Sequence, residues 1–467
     1  MTRKEVIFLL AMCLLASIAA TADAKAEPSP APVFERVSNT PNVVLIVTDD
    51  QPFGTMDAMP VTAAQIRDKG VNLTNGLIPT SLCCPSRSSL LTGNYAHTTG
   101  VYTNEGSKGI GGWPAFHNGG AENTTLATKL NNAGYNTGLF GKYLNGYSDN
   151  RPASFVPPGW DSFVSFHSDD GGSAAYYNYT LEGTLPDEHH GTDPADYSTD
   201  VIATKATDFI LNTPADQPLF LYFAPYGAHS PTIPAPRDEG TWPLEPASAI
   251  PALNEANVSD KPAWVQDNPL VDEISVRQRL TDQHETLMSV DDAVAEISLA
   301  LGDRANNTLF VFMSDNGYML GGHRMEGKDV PYRQSTEVPM FIRWDGHIAP
   351  NTSSSRPTTN VDLTATIAEA TGISMTTEGK SFLSTNRVGT VLEQTTLNDH
   401  PAYCGYRNKN YLYVHYTGDS EELYDYTVDP DELRNKADNA NYATILADLK
   451  AKTINQCVPT PPGFSWN

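Results

Sequence analysis

Apolar residues in this chain gather in short unbroken runs rather than in long alternating stretches. Asn42-Val-Val-Leu-Ile-Val47 is the first, and Thr137–Phe140, Leu219–Phe223, Thr308–Met313 and Val338–Arg343 repeat the pattern. Short runs of this kind, bounded by polar and turn-forming residues, read as strands buried on both faces of a mostly parallel sheet. Between them the apolar positions fall at helical spacing. Asn123-Thr-Thr-Leu126 opens one helix, which ends near Gly134, and Thr199 to Leu211 is another. Asp272 to Leu301 carries the longest helical period, with Ile274, Leu280, Leu287, Val290, Val294 and Ile297 toward one side. Strands alternating with helices predict an α/β fold around a central sheet.

Two stretches break this rhythm. Gly146 to Asp200 is rich in Gly, Pro, Tyr and Asp, and residues 231 to 270 are rich in proline. Long irregular segments inside a folded body commonly line a cleft. Beyond residue 375 the pattern changes to short strands at Ala402–Tyr406, Tyr411–Tyr416 and Glu422–Tyr424, then a helix near Tyr442–Thr453. The expected organisation is an α/β domain over 41–375 and a smaller α+β subdomain over 376–467.

The first residues stand outside that organisation. Arg3 and Lys4 precede an apolar run from Val6 to Ala20, and Ala22-Asp23-Ala24 supplies small residues for cleavage. Residues 1–24 therefore read as a secretory signal peptide and 25–40 as a flexible Ala/Pro-rich lead-in. The expected location is secreted, periplasmic or another exported compartment, with no membrane span after cleavage. Loss of the leader removes Cys13 and leaves Cys83, Cys84, Cys404 and Cys457. The last two could pair in an oxidising compartment.

The formal charge is -25 over 467 residues, which argues against nucleic acid as a partner. It also disfavours long-range attraction of polyanions. Any anionic ligand needs a locally positive pocket, helped by a bound cation.

Candidate chemistry lies at predicted strand ends. Asp49-Asp50 follows the first strand, and Asp315-Asn316 follows the Thr308–Met313 strand. In open α/β sheets ligands bind beyond the carboxyl ends of the strands, so both pairs are expected to face one crevice. Carboxylate and amide oxygens suit a hard cation, Ca²⁺ or alternatively Mg²⁺. Taken singly, each pair is also ordinary turn chemistry.

The run Cys83-Cys84-Pro85-Ser86-Arg87, with its Leu90-Leu91-Thr92-Gly93 tail, resembles the signature of the type I sulfatase family. Thr48-Asp-Asp-Gln51, Gly141-Lys-Tyr-Leu-Asn-Gly146, Ala228-His-Ser-Pro231 and Ser314-Asp-Asn-Gly-Tyr318 are most similar to its N-acetylglucosamine-6-sulfatase and extracellular heparan sulfatase branch. The resemblance implies an alkaline-phosphatase-like central sheet flanked by helices. It implies oxidation of Cys83 to Cα-formylglycine by a maturation enzyme, and Ca²⁺ held by Asp49, Asp50, Asp315, Asn316 and position 83. Arg87 would orient the nucleophile, Lys142 and Lys328 would bind sulfate oxygens, and His229 would serve the leaving-group side. His323 is a further candidate for substrate binding. Many sulfatases carry His two residues after the lysine matched by Lys142; Leu144 stands here, leaving one proton-transfer role unassigned. The expected substrate is a sulfated sugar, with aryl sulfates accepted. Rival readings are a phosphonate or phosphate ester hydrolase of the same superfamily, and a catalytically silent metal-containing binding protein.

Overall fold

Each apolar run has become a strand of one ten-stranded sheet. In the computed structural model, residues 40–466 are described except for 107–108, 153, 168–174, 399 and 419. The expected signal peptide and nearly all of the lead-in lie outside the described residues. The strands are β1 (Asn42–Thr48), β2 (Val71–Leu73), β3 (Asn136–Gly141), β4 (Ser162–Phe166), β5 (Thr180–Gly183) and β6 (Glu188–His189), followed by β7 (Leu219–Ala224), β8 (Thr308–Ser314), β9 (Met340–Trp344) and β10 (Thr352–Ser354). Their order is β10-β2-β9-β8-β1-β7-β3-β4-β5-β6. β8, β1, β7, β3 and β4 run parallel, whereas β9 returns antiparallel to β8 and β5 antiparallel to β4.

Burial on both faces explains why the central strands are apolar throughout. Val43, Leu45 and Val47 of β1 face one core, shared with Leu90, Leu91, Leu363 and Ile367. Val44 and Ile46 face the other, shared with Ile202, Leu287, Val290, Val294 and Ile297. The period-two alternation of a strand thus sorts consecutive residues into two cores. The first core receives helices α1 (Cys83–Thr92) and α4 (Asn360–Thr371); the second receives α2 (Ser198–Asn212) and α3 (Glu273–Leu301). Asp272 caps α3 by accepting the Ser275 backbone N–H. Ile274, expected on the apolar face, is 57% exposed in the first turn, before α3 reaches the sheet. The Asn123–Gly134 helix is split into a 3₁₀ turn over Ala121–Thr124 and an α-helix over Leu126–Asn132, with Thr125 as its cap.

Within the stretch Gly146 to Asp200, β4, β5 and β6 extend the sheet, which its composition does not suggest. By contrast, residues 231–270 contain only a 3₁₀ turn and a single turn of α-helix. A smaller antiparallel sheet follows, β11 (Gly389–Gln394), β12 (Tyr403–Asn408), β13 (Tyr411–Tyr416) and β14 (Glu421–Asp425), paired in sequence order. Helix α5 (Ala443–Gln456) packs Leu449 against Tyr406, Tyr413 and Leu423. A disulfide joins Cys404 of β12 to Cys457, with Cα atoms 6.2 Å apart. Among the described residues, no helix is long and apolar enough to cross a membrane.

Candidate active site

Sheet register gathers the charged residues. β1 and β8 pair in parallel up to Thr48 opposite Ser314, so Asp49-Asp50 and Asp315-Asn316 leave neighbouring strands at the same height. β7 and β3 lie next in order and deliver His229 and Lys142 to the same edge. Lys142 follows Gly141, whose φ is +118°. A Cβ at Gly141 would meet the Ala224 carbonyl oxygen at 2.1 Å, so only glycine lets the chain turn there. The Lys142 N–H then donates to that carbonyl at 2.8 Å.

Asp50 holds a left-handed backbone, φ 58°, which costs a non-glycine residue roughly 1 kcal/mol. Its N–H donates to Asp315 Oδ1 at 3.2 Å, while the Asp49 backbone exchanges hydrogen bonds with Gly227 and Ala228. These contacts fix the turn against its strain.

Helix α1 brings the remaining groups. Cys83 is its first residue, at the end where unpaired N–H groups concentrate positive potential. All ten residues of the helix are buried, although most are polar or small. Asn360 of α4 donates to Ser86, and Thr364 donates to the Leu90 carbonyl. Gly93, left-handed at φ 70°, ends the helix. One turn after Cys83, Arg87 donates through Nε to Asp315 Oδ2 at 2.8 Å and through Nη1 to the Lys142 carbonyl at 3.0 Å. Its Nη2 lies 3.5 Å from Asp49 Oδ2.

Cys83 Sγ lies 2.8 Å from Lys328 Nζ and 3.6 Å from Asp49 Oδ1. Lys142 Nζ donates to Asp49 Oδ2 at 2.5 Å, and Lys328 Nζ also donates to Asp50 Oδ1. His229 Nδ1 donates to the Ser230 carbonyl at 2.6 Å, which leaves Nε2 facing Asp50 Oδ2 at 3.7 Å. Three carboxylates (Asp49, Asp50, Asp315) and three cationic side chains (Arg87, Lys142, Lys328) therefore share one cluster, buried except for the partly exposed Lys328.

Burial pushes the Cys83 thiol up to about 12, against the opposing pull of Lys142 and Lys328. As an unmodified thiol it is protonated at neutral pH and a weak nucleophile. Burial also drives Asp49 upward, but Lys142, His229, Arg87 and Lys328 outweigh it and hold that carboxyl well below its usual range. Asp315 goes the other way, raised by burial and by the like charge of Asp49 despite Arg87. Burial opposes the charge on Lys328, yet Asp50 and the neighbouring groups raise it well above the ordinary lysine value.

The donor set fits a hard cation. Asp49, Asp50 and Asp315 each offer a carboxylate oxygen, and these oxygens lie within 4.8 Å of one another. Asn316 donates through Nδ2 to Asp50 Oδ1 at 2.6 Å, while its buried Oδ1 has no hydrogen-bond partner. A buried acceptor of that kind calls for a positive partner. Oxygen-only donors suit Ca²⁺ or Mg²⁺ over softer metals.

His323 stands apart from this group. It is buried, with Nδ1 2.7 Å from Glu255 Oε2 and Nε2 3.8 Å from Glu432 Oε2, and it lines a neighbouring cavity. Left-handed backbone at His323 and Arg324 turns the chain between Leu320 and Lys328, and His323 does not line the cleft that holds Lys328. Other residues line the open cleft of about 430 Å³ beside Asp50, His229 and Lys328: Trp264, Asn268, Arg324, Asn398 and His400. Sequence reasoning assigns them no role: Arg324 follows His323 in a Gly-His-Arg run that resembles sulfatases, and the other four lie in no motif. Asn398 and His400 reach the cleft only because the C-terminal part folds back, where they contact Asp329 at 2.6 and 3.5 Å.

Known proteins resemble this chain over most of its length. The sulfatase family profile matches residues 41–373, and a profile for the C-terminal part of N-sulphoglucosamine sulphohydrolase matches residues 321–458. The N-acetylglucosamine-6-sulfatase of the goat, Capra hircus, is 32% identical over 364 residues, covering 74% of this chain and 63% of the relative. The chain spans from 31% to 63% of the length of the first three curated relatives it matches. Among solved structures, BT4656 in complex with its substrate D-glucosamine-2-N,6-O-disulfate superimposes with a TM-score of 0.71 at 20% identity, over 89% of this chain and 97% of that one. The phosphonate monoester hydrolase of Agrobacterium radiobacter also gives 0.71 at 20% identity, over 89% and 95%. At this identity the two structures speak for the fold alone.

Proposed function

We propose, on the premise that the chain belongs to the sulfatase family, that it hydrolyses sulfate esters of a sulfated sugar, with 6-sulfated glucosamine as the favoured unit. One observation carries the reading: a buried cysteine at a helix start touches a lysine and a carboxylate of an oxygen-rich cluster that also holds Arg87 and Lys142. A binding protein has no need of that cysteine at that point. The sugar follows from the goat relative and from the motifs shared with the glucosamine-6-sulfatase branch.

Asp49, Asp50, Asp315 and Asn316 would hold Ca²⁺, which supplies Lewis-acid stabilisation of charge on the transferring sulfate. Cys83 oxidised to formylglycine would supply a hydrated aldehyde, an oxygen nucleophile that can release sulfate by re-forming the carbonyl. Without a cation the three carboxylates and three cationic groups cancel. With a divalent ion held there, the cluster would be net positive and attractive to sulfate within an otherwise acidic protein. Arg87, locked by Asp315 and the Lys142 carbonyl, orients position 83 and spreads positive charge beneath it. Lys142 and Lys328 stay protonated and place N–H donors where negative charge grows on the sulfate oxygens. His229 presents Nε2 on the open side, where it can hand a proton to the departing sugar oxygen. Its proton source is the role left open by Leu144.

Export fits the leader pattern and the Cys404–Cys457 disulfide, a bond that persists in oxidising compartments. The test is steady-state hydrolysis of N-acetylglucosamine 6-sulfate, a chromogenic aryl sulfate and the matching phosphate and phosphonate esters. Faster turnover of the sulfates supports the reading. Preference for phosphonate would transfer the same site to the rival chemistry, and no turnover of any ester by metal-loaded, matured protein would favour a silent binder.

A further inference from the structure

A second cavity of about 240 Å³ opens beside the cleft. Its walls grow from the cation-site loops themselves: Pro52 and Phe53 follow Asp50, and Tyr318 follows Asn316 by two residues. Tyr318 also lines the cleft that holds Lys328 and His229, so one aromatic side chain borders both spaces; Arg279 donates to its hydroxyl at 2.7 Å and lies 5.7 Å from its ring centroid. The floor is apolar, formed by buried Ile250, Leu280 and Leu320. Phe53 stands at the rim, 46% exposed, with the Arg333 guanidinium 5.8 Å from its ring centroid.

The charged groups of this cavity do not invite an anion. Arg333 is spent on Glu337, with Nε and Nη2 donating to its two carboxylate oxygens at 2.6 and 2.9 Å. His323 is held by Glu255 and Glu432. Glu432 and the exposed Asp431 add negative potential to the lining. No cationic lining group among the described residues is left without an acidic partner. The space is somewhat below the ~300 Å³ of pockets for drug-sized ligands, enough for one ring and too small for an oligosaccharide.

From this geometry we propose that the cavity is a subsite for the uncharged sugar residue joined to the sulfated one, with Phe53 and Tyr318 as its aromatic walls. The proposal rests on the sulfatase reading and deepens it: the enzyme acts on a sulfated unit whose neighbour is unsulfated. Aromatic faces pack against the C–H faces of a pyranose, while the acidic lining repels a neighbour carrying its own sulfate. This subsite also answers the overall charge, since recognition by an apolar ring needs no long-range attraction.

The test uses the full, metal-loaded protein in two assays. The first compares kcat/KM for N-acetylglucosamine 6-sulfate with that for the same unit linked to galactose, and for that disaccharide with a second sulfate on galactose. The neutral neighbour is expected to raise kcat/KM about tenfold over the monosaccharide, and the second sulfate to remove the gain. Phe53→Ala should bring the disaccharide-to-monosaccharide ratio close to one, and Phe53→Trp should restore it. The second assay is saturation-transfer NMR with the unsulfated disaccharide, which needs no catalysis. Binding to the wild type that is lost in Phe53→Ala supports the subsite even if no sulfate ester is turned over, an outcome that would sink only the sulfatase reading. Equal kcat/KM for the monosaccharide and neutral disaccharide, or disaccharide binding indifferent to Phe53, would overturn the subsite and leave sulfate hydrolysis standing.

Discussion

Replacing Cys83 with alanine removes a side chain that meets both Lys328 and Asp49, yet deletes only a sulfur from the start of a helix anchored elsewhere. We expect turnover to fall by about 10³-fold or more, with the circular dichroism spectrum and melting temperature close to wild type. Asp315→Ala should be harsher. It takes away a proposed cation ligand and the main partner of fully buried Arg87, and breaking a buried pair costs about 3–5 kcal/mol. The Asp49 contact at 3.5 Å softens that loss. Calorimetric titration with Ca²⁺ should show binding abolished; retained binding and activity would move the cation elsewhere. Another residue sets a pH dependence away from the site. Burial works against the charge on His97, but hydrogen bonds to Glu378 and Glu393 raise it from 6.5 to about 10. The folded protein therefore holds this proton more tightly than the unfolded chain. Its contribution to stability is complete below about pH 6.5, declines above that, and is gone beyond about pH 10. Denaturant midpoints across that window should fall less steeply in His97→Gln than in wild type. The proximity of Asp49-Asp50 to Asp315-Asn316 was legible in the sequence because both pairs sit directly after strongly apolar strands. The seclusion of His323 was not, because it depends on two left-handed residues and on Glu432 from more than a hundred residues away.

Among elements, the central parallel strands and the long helix α3 were legible because doubly buried strands and a one-faced helix leave clear periods. The sheet extension β4–β5–β6 was hidden by short strands set among Gly, Pro and Tyr, where composition resembles a loop. The antiparallel return of β9 was equally hidden, since an apolar run carries no direction. The C-terminal sheet offers a test of its own. The Cys404–Cys457 bond closes a loop of 53 residues, which in the chain-entropy account stabilises the fold by about 4 kcal/mol. Cys457→Ser should lower the melting temperature by several degrees while leaving room-temperature kcat near wild type. A loss of kcat without a loss of stability would instead show that this sheet tunes the cleft through Asn398 and His400.

For the whole molecule, charge and fold pull in different directions. A body of net charge -25 repels an anionic substrate at long range, and in this account the cation-loaded cluster at the strand ends reverses the sign locally. Added salt should therefore raise kcat/KM for a polysulfated oligosaccharide more than for a singly sulfated sugar, by screening the repulsion. A fall with salt for both would mean that a positive surface steers substrate after all. Everything rests on the chemical state of residue 83. Peptide mass spectrometry of the segment containing Cys83, on protein whose turnover of an aryl sulfate has been measured in the same preparation, reads that state directly. Formylglycine at position 83, in proportion to activity, is the predicted result; full activity from protein carrying only an unmodified thiol there would contradict it.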